Sequence, residues 1–126
     1  MSHTIVNTPH APAALGPYSQ ATIHNGVLYL SGQIGLVPET GMFAGEDTPA
    51  QARQVMKNLK AVLEAGGSSF DKVLRCTIFL SDMADFAEVN AIYGEYFGEN
   101  PPARETVAVK TLPKHARIEI SALAYV

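Results

Sequence analysis

From Arg117 to Val126 the chain alternates for ten residues, with Ile118, Ile120, Ala122, Ala124 and Val126 on one face. A run of that length at period two is a strand, and its apolar face has to be buried. The spacing predicts a strand central to a sheet. It also sends Glu119, which sits between two isoleucines, to the opposite face.

The partners of this strand are readable in the same way. Ala21-Thr22-Ile23-His24 and Val27-Leu28-Tyr29-Leu30-Ser31 flank Asn25-Gly26, a pair at ease with positive φ, so a β-hairpin with a type I′ turn is expected. Lys72 to Leu80 is an apolar run too short for most helices and reads as a buried strand. A further short strand is expected over Thr106 to Val109. Between these lie two helical patterns. Thr48-Pro49-Ala50-Gln51 combines a capping-box pattern with proline at the first helical position. Ala52, Val55, Met56, Leu59, Val62 and Leu63 then recur at helical spacing as far as the Gly66-Gly67 stop. The second helix begins at Asp82 or Asp85, carries Phe86, Val89, Tyr93, Tyr96 and Phe97 as its buried stripe, and ends before Gly98 and Pro101-Pro102.

The order β-β-(β)-α-β-α-β-β, its bracketed strand optional, describes an α+β domain: a mixed sheet with two helices packed on one face. The other face is then open. Leu28, Leu30, Leu74, Leu123 and Tyr125 are its candidate residues, and an uncovered apolar face predicts a closed homo-oligomer.

One domain is expected over residues 1–126, long enough to bury about two-thirds of the surface of its unfolded form. A net charge of −3, with nine basic residues and no Lys/Arg run, argues against an electrostatic nucleic-acid surface. The single cysteine, Cys76, excludes an intrachain disulfide and a multi-cysteine zinc site. The four histidines lack metal-ligand spacing, so no metal is expected. The first residues lack a basic segment followed by an apolar run, and nowhere do eighteen apolar residues run together. Neither a signal peptide nor a membrane span is expected, and cytoplasm is the default location.

Two charges stand out against this background. Arg104 follows Pro101-Pro102-Ala103, so its backbone is held extended, and its planar fork suits a carboxylate. Glu119 is a carboxylate on an apolar segment, able to hold a water or a proton. Most such charges are merely solvated. Other residues add weight to the functional reading.

Gly16-Pro17-Tyr18-Ser19-Gln20-Ala21 precedes the hairpin and Ser31-Gly32-Gln33-Ile34 ends it. Pro102-Ala103-Arg104 follows the second helix, and Leu112-Pro113 leads to Ile118-Glu119-Ile120. In this order and spacing the chain resembles the reactive intermediate deaminases of the Rid (RidA/YjgF) family, from about Ile5 onward. The resemblance implies a homotrimer of chorismate-mutase-like subunits with sites in clefts between neighbours. It implies hydrolysis of enamine and imine intermediates, such as 2-aminoacrylate and 2-iminopropanoate, to 2-oxo acids and ammonia, with no cofactor. On that reading Arg104 clamps the substrate carboxylate and Glu119 handles water and proton. Tyr18, Ser31, Gly32, Asn90 and Thr106 line the pocket. Family members commonly carry a cysteine two residues after the arginine, where this chain has Thr106; a covalent thiol role there is impossible, but hydrogen bonding is open.

The remaining candidates are weaker. Cys76 lies inside a buried strand, where a cysteine is usually packing. Gly32-Gln33-Ile34-Gly35 lacks the third glycine and the following helix of a phosphate loop. Relatives described as ribonucleases or translation inhibitors, and others described as chaperone-like or ligand-binding, supply rival functions. The acidic balance weighs against RNA, and the Arg104 and Glu119 pair weighs against a catalytically silent binder.

Overall fold

A computed structural model describes residues 2–126 of the chain. Six strands and two helices run in the order β1 Thr4–Val6, β2 Ala21–His24, β3 Val27–Ile34, α1 Thr48–Ala65, β4 Val73–Leu80, α2 Phe86–Gly94, β5 Ala103–Ala108 and β6 Ile118–Tyr125. They form one sheet in the order β1-β2-β3-β6-β4-β5. Among the described residues only β4 and β5 pair in parallel, and α2 makes the crossover that parallel pairing requires. The sheet is therefore mixed and the fold α+β. The last strand is central, as its alternation predicts: Ile118, Ile120, Ala122 and Ala124 are buried.

Local chemistry sets most element ends. The hairpin turns on Asn25 at φ 50° and Gly26 at φ 77°. Helix α1 stops where Gly67 takes φ 80°, while the Gly67 and Ser68 amides donate to the Glu64 and Leu63 carbonyls. Its start differs from the capping-box expectation. The cap is Asp47, whose carboxylate accepts from the Ala50 amide at 2.8 Å. The Thr48 hydroxyl instead donates to Asp85 Oδ2 at 2.7 Å, tying α1 to the turn before α2. Asp82 caps that turn, Met83–Asp85, and α2 follows from Phe86. Helix α2 ends at Gly94, short of the expected stop, because Glu95 to Phe97 continue as single turns.

Three further differences matter. An extra strand, β1, precedes the hairpin, whereas between the hairpin and α1 there is only an isolated bridge, Leu36 to Phe43. Strand β5 begins earlier than expected and contains Arg104. Leu28 and Leu30, assigned above to the open face, are buried in the core beneath the helices, and a Cβ on Gly66 would meet Leu28 at 2.8 Å. The hairpin register explains this: Leu28 pairs with Ala124 and Leu30 with Ala122, both on the core face of β6. Leu28 and Leu30 therefore share that face, and Tyr29 takes the open one. The open face keeps Leu74 and Tyr125 from the expected set, both about half exposed, and Leu123, half-buried. Among the described residues no helix is long and apolar enough to cross a membrane.

Candidate active site

On the open face a cleft of about 470 Å³ is bounded by the loop before β2, the end of β3 and the start of β6. Tyr18, Ser31, Gly32 and Glu119 all line it. The loop wall is held by one side chain. Gln20 is buried; its amide nitrogen donates to the Thr8 and Pro12 carbonyls at 3.1 and 2.9 Å, and its oxygen accepts from the Thr8 amide at 2.7 Å. A buried primary amide can organise a loop this firmly because it meets backbone donors and acceptors at once.

Strand β3 supplies the floor. Its register against β6 shifts between Leu30 and Gln33, so Ser31 and Gly32 form a bulge. The Ser31 hydroxyl donates to the Ser19 carbonyl at 2.6 Å, which leaves its lone pairs able to accept from a ligand. Gly32 leaves space that nothing else could: a Cβ there would lie 2.8 Å from Glu119 Cδ. Glu119 therefore lies directly over the bulge. Burial pushes its carboxyl above the ordinary carboxylate value.

Arg104 occupies a different place. It pairs with Cys76 on β4, so its side chain shares the face that packs against α2. There its guanidinium carbon lies 5.1 Å from the Tyr93 ring centroid and 5.5 Å from that of Phe86, and Nη1 donates to Asn90 Oδ1 at 2.7 Å. The arginine is thus oriented by neutral groups alone. Ion pairs are formed by Arg53 with Glu95 and Arg75 with Glu105; among the described residues Arg104 has no carboxylate partner. Nearby, the Thr106 and Tyr93 hydroxyls are buried without a well-formed hydrogen bond. Tyr93 lies beside the Cys76 thiol, and burial pushes both groups upward, which keeps the thiol protonated.

Two constellations result. Tyr18, Ser31, Gly32 and Glu119 come together in the open-face cleft. Asn90 and Arg104 come together on the helix side of the edge strand, with Thr106 two residues along it. One chain does not unite them. Glu119 and Val107 both pair with Phe79, which puts Arg104 two strands across and three residues along, roughly 10 Å in each direction, on the other face. Sequence reasoning missed Gln20 as the wall's anchor, the Phe86 and Tyr93 cradle, and Leu15 and Lys114 as lining residues. Lys114 reaches the cleft from a turn in which it and His115 hold φ of 55° and 57°, uncommon outside glycine, and no local motif announces it.

Residues 8–126 match the family described as Endoribonuclease L-PSP. The chain is 49% identical over 120 residues to Reactive Intermediate Deaminase A, chloroplastic, of Arabidopsis thaliana, covering 95% of this chain and 64% of that protein. It is 43% identical over 120 residues to the human 2-iminobutanoate/2-iminopropanoate deaminase, covering 95% of this chain and 88% of that one. Among solved structures, YyfA from Yersinia pestis, described as a conserved Rid-family protein of unknown function, superposes with a TM-score of 0.97 at 46% identity, over 99% of this chain and all of the other. This chain belongs to the Endoribonuclease L-PSP family, in which the Rid deaminases fall.

Proposed function

We propose that the protein hydrolyses 2-imino acids and their enamine tautomers to 2-oxo acids and ammonia, at sites completed by two copies of the chain. Arg104 of one copy faces the Glu119 cleft of the next, and three copies closing in a ring give three sites. One observation carries the reading: the Arg104 guanidinium is fixed by Asn90 and two aromatic rings, yet meets no carboxylate. A preorganised, uncompensated arginine at an exposed edge suits a small anion. The names of the human and plant relatives supply the reaction class.

The chemistry follows from the groups present. Arg104 binds the substrate carboxylate through two parallel hydrogen bonds and so fixes the neighbouring imine carbon. Water attacks that carbon, forming a C–O bond, while the C=N π pair moves to nitrogen. Glu119 accepts the water proton and delivers a proton to nitrogen. The carbinolamine then collapses: the C–N bond breaks, ammonia leaves, and the hydroxyl proton returns through Glu119 as C=O forms. A carboxyl that burial raises above its ordinary value suits both transfers. Tyr18 and the free lone pairs of Ser31 hold the nitrogen or the water, while the Thr106 hydroxyl, buried two residues along the strand from Arg104, is out of reach of the substrate.

Lys114 is the competing anchor, since it lines the Glu119 cleft within one chain. Imines generated from alanine by an amino-acid oxidase, with semicarbazide as competitor, separate the two. The expected result is that wild-type protein outpaces semicarbazide, Arg104→Ala loses about a hundredfold or more, and Lys114→Gln changes by less than about threefold, since a bidentate fork is worth more than a mobile ammonium. No acceleration by wild-type protein, or a larger loss in Lys114→Gln than in Arg104→Ala, contradicts the reading. RNA cleavage that survives Arg104→Ala, without imine hydrolysis, would favour the ribonuclease.

A further inference from the structure

The aromatic cradle of Arg104 does not stop at the rings that meet the guanidinium. Tyr93, 5% exposed, also packs on Phe97, with ring centroids 4.6 Å apart and planes tilted by 41°. Phe97 in turn meets Phe70 edge to face at 5.4 Å, a geometry in which aromatic quadrupoles attract. A file of rings therefore runs from Arg104 through Tyr93 and Phe97 to Phe70, in the turn that leads into β4. The backbone at Phe97 is held more loosely. Helix α2 has ended at Gly94, and the Phe97 amide donates to the Gly94 carbonyl at 3.4 Å, beyond the usual range. Its aromatic neighbours hold the Phe97 ring more firmly than its own turn does. Residues 98–103 alone separate Phe97 from Arg104, so one side chain both backs the Tyr93 ring and anchors the segment that delivers the arginine.

We propose that Phe97 is a positioning residue for Arg104, acting through Tyr93. The inference rests on the function proposed above, in which Arg104 binds the substrate carboxylate. Aromatic clusters beside a core are most often packing alone, and the position of this one at the arginine sets it apart. Without the Phe97 ring, Tyr93 gains room to tilt and the guanidinium loses the nearer of its two aromatic supports. Asn90 and Phe86 then hold the fork alone, and its alignment on a carboxylate is less well fixed. The loss falls on binding, so KM rises while kcat changes little.

The test is a mutant cycle on the full chain, reading KM for the alanine imine and Kd for pyruvate in Phe97→Leu, Tyr93→Leu and the double variant. Phe97→Leu is expected to raise both values about two- to fivefold, the range that one cation–π contact at an exposed site can supply. Phe97→Tyr, which keeps the ring, restores them, and the double variant is no worse than Tyr93→Leu alone. Additive losses overturn the proposal. So does a Phe97→Leu protein with a lowered urea midpoint and unchanged KM and Kd, which would make the rings packing alone. Phe97→Met, also without a ring, replaces Phe97→Leu if that variant does not fold. If wild type neither hydrolyses the imine nor binds pyruvate, the proposed function fails; in that case, or if Tyr93→Leu does not fold, the NMR order parameter of the Arg104 Nε–H bond decides the positioning role. A fall below about 0.6 on loss of the Phe97 ring, reversed in Phe97→Tyr, supports it, and a value equal to that of wild type overturns it.

Discussion

Gly32 and Glu119 are matched as space and occupant: the Glu119 side chain lies over the glycine so closely that a Cβ at position 32 would meet its Cδ at 2.8 Å. The bulge in β3 that carries Gly32 and the alternation in β6 that turns Glu119 outward therefore produce one feature of the cleft. Gly32 is selected here by crowding.

Gly32→Ala tests this directly. The added methyl group displaces the carboxylate, and a shift on the order of 1 Å in a catalytic group costs about a hundredfold in rate. Activity is expected to fall by that order while the urea midpoint changes little, since the methyl group enters a solvent-facing cleft. Retention of most of the activity would mean that Glu119 has no fixed position to lose.

Glu119 also makes stability depend on pH in a stated direction. Burial raises its folded-state value above the ordinary 4.5, so the folded protein holds the proton more tightly than the unfolded chain. The associated stabilisation is complete below about pH 4.5 and is lost as pH rises through the raised value. Glu119→Gln, which never ionises, is therefore expected to gain stability relative to wild type between pH 4 and pH 7 in urea titrations. A gap that narrows over that range contradicts the burial argument.

The aromatic and amide contacts of Arg104 predict a graded response. Cation–π contacts at exposed sites are worth about 0.5–1 kcal/mol each, so Phe86→Leu is expected to raise KM about two- to fivefold with kcat little changed. Asn90→Ala, which removes the 2.7 Å hydrogen bond, is expected to raise it about three- to tenfold. Steady-state kinetics check both. An effect as large as that of Arg104→Ala would place these residues in contact with substrate.

Gln20 carries the stability of the cleft wall. Gln20→Leu removes its bonds to the Thr8 amide and the Thr8 and Pro12 carbonyls from a buried setting, and the expected loss is about 2–4 kcal/mol in chemical denaturation. A loss under about 0.5 kcal/mol would show that the wall is held by its own packing.

The elements were legible wherever a period or a turn residue spoke alone: the Asn25-Gly26 hairpin, the α1 stripe, and the alternation of β6. The short strand β1 was not, because three residues carry no period and pair only once β2 exists. Leu28 and Leu30 were misplaced because the faces of a hairpin are set by its register against β6, which is not local. Thr48 carries the capping-box pattern while Asp47 is the cap, because adjacent Asp and Thr are both good caps and Asp85, distant in sequence, engages the threonine. The site residues were legible as types. Their division between two faces was not, since it depends on the parallel pairing of β4 with β5.

That division makes the central claim testable by mixing. Arg104→Ala and Glu119→Gln are each expected to be inactive as homo-oligomers. When the two are unfolded together in denaturant and refolded, hybrid oligomers carry some sites with Arg104 from one chain and Glu119 from another. Imine hydrolysis in the mixture is expected to recover to a substantial fraction of wild type, on the order of a quarter, while each variant refolded alone stays inactive. If the mixture remains as inactive as its components although mass spectrometry shows hybrids, the two residues do not share a site across chains.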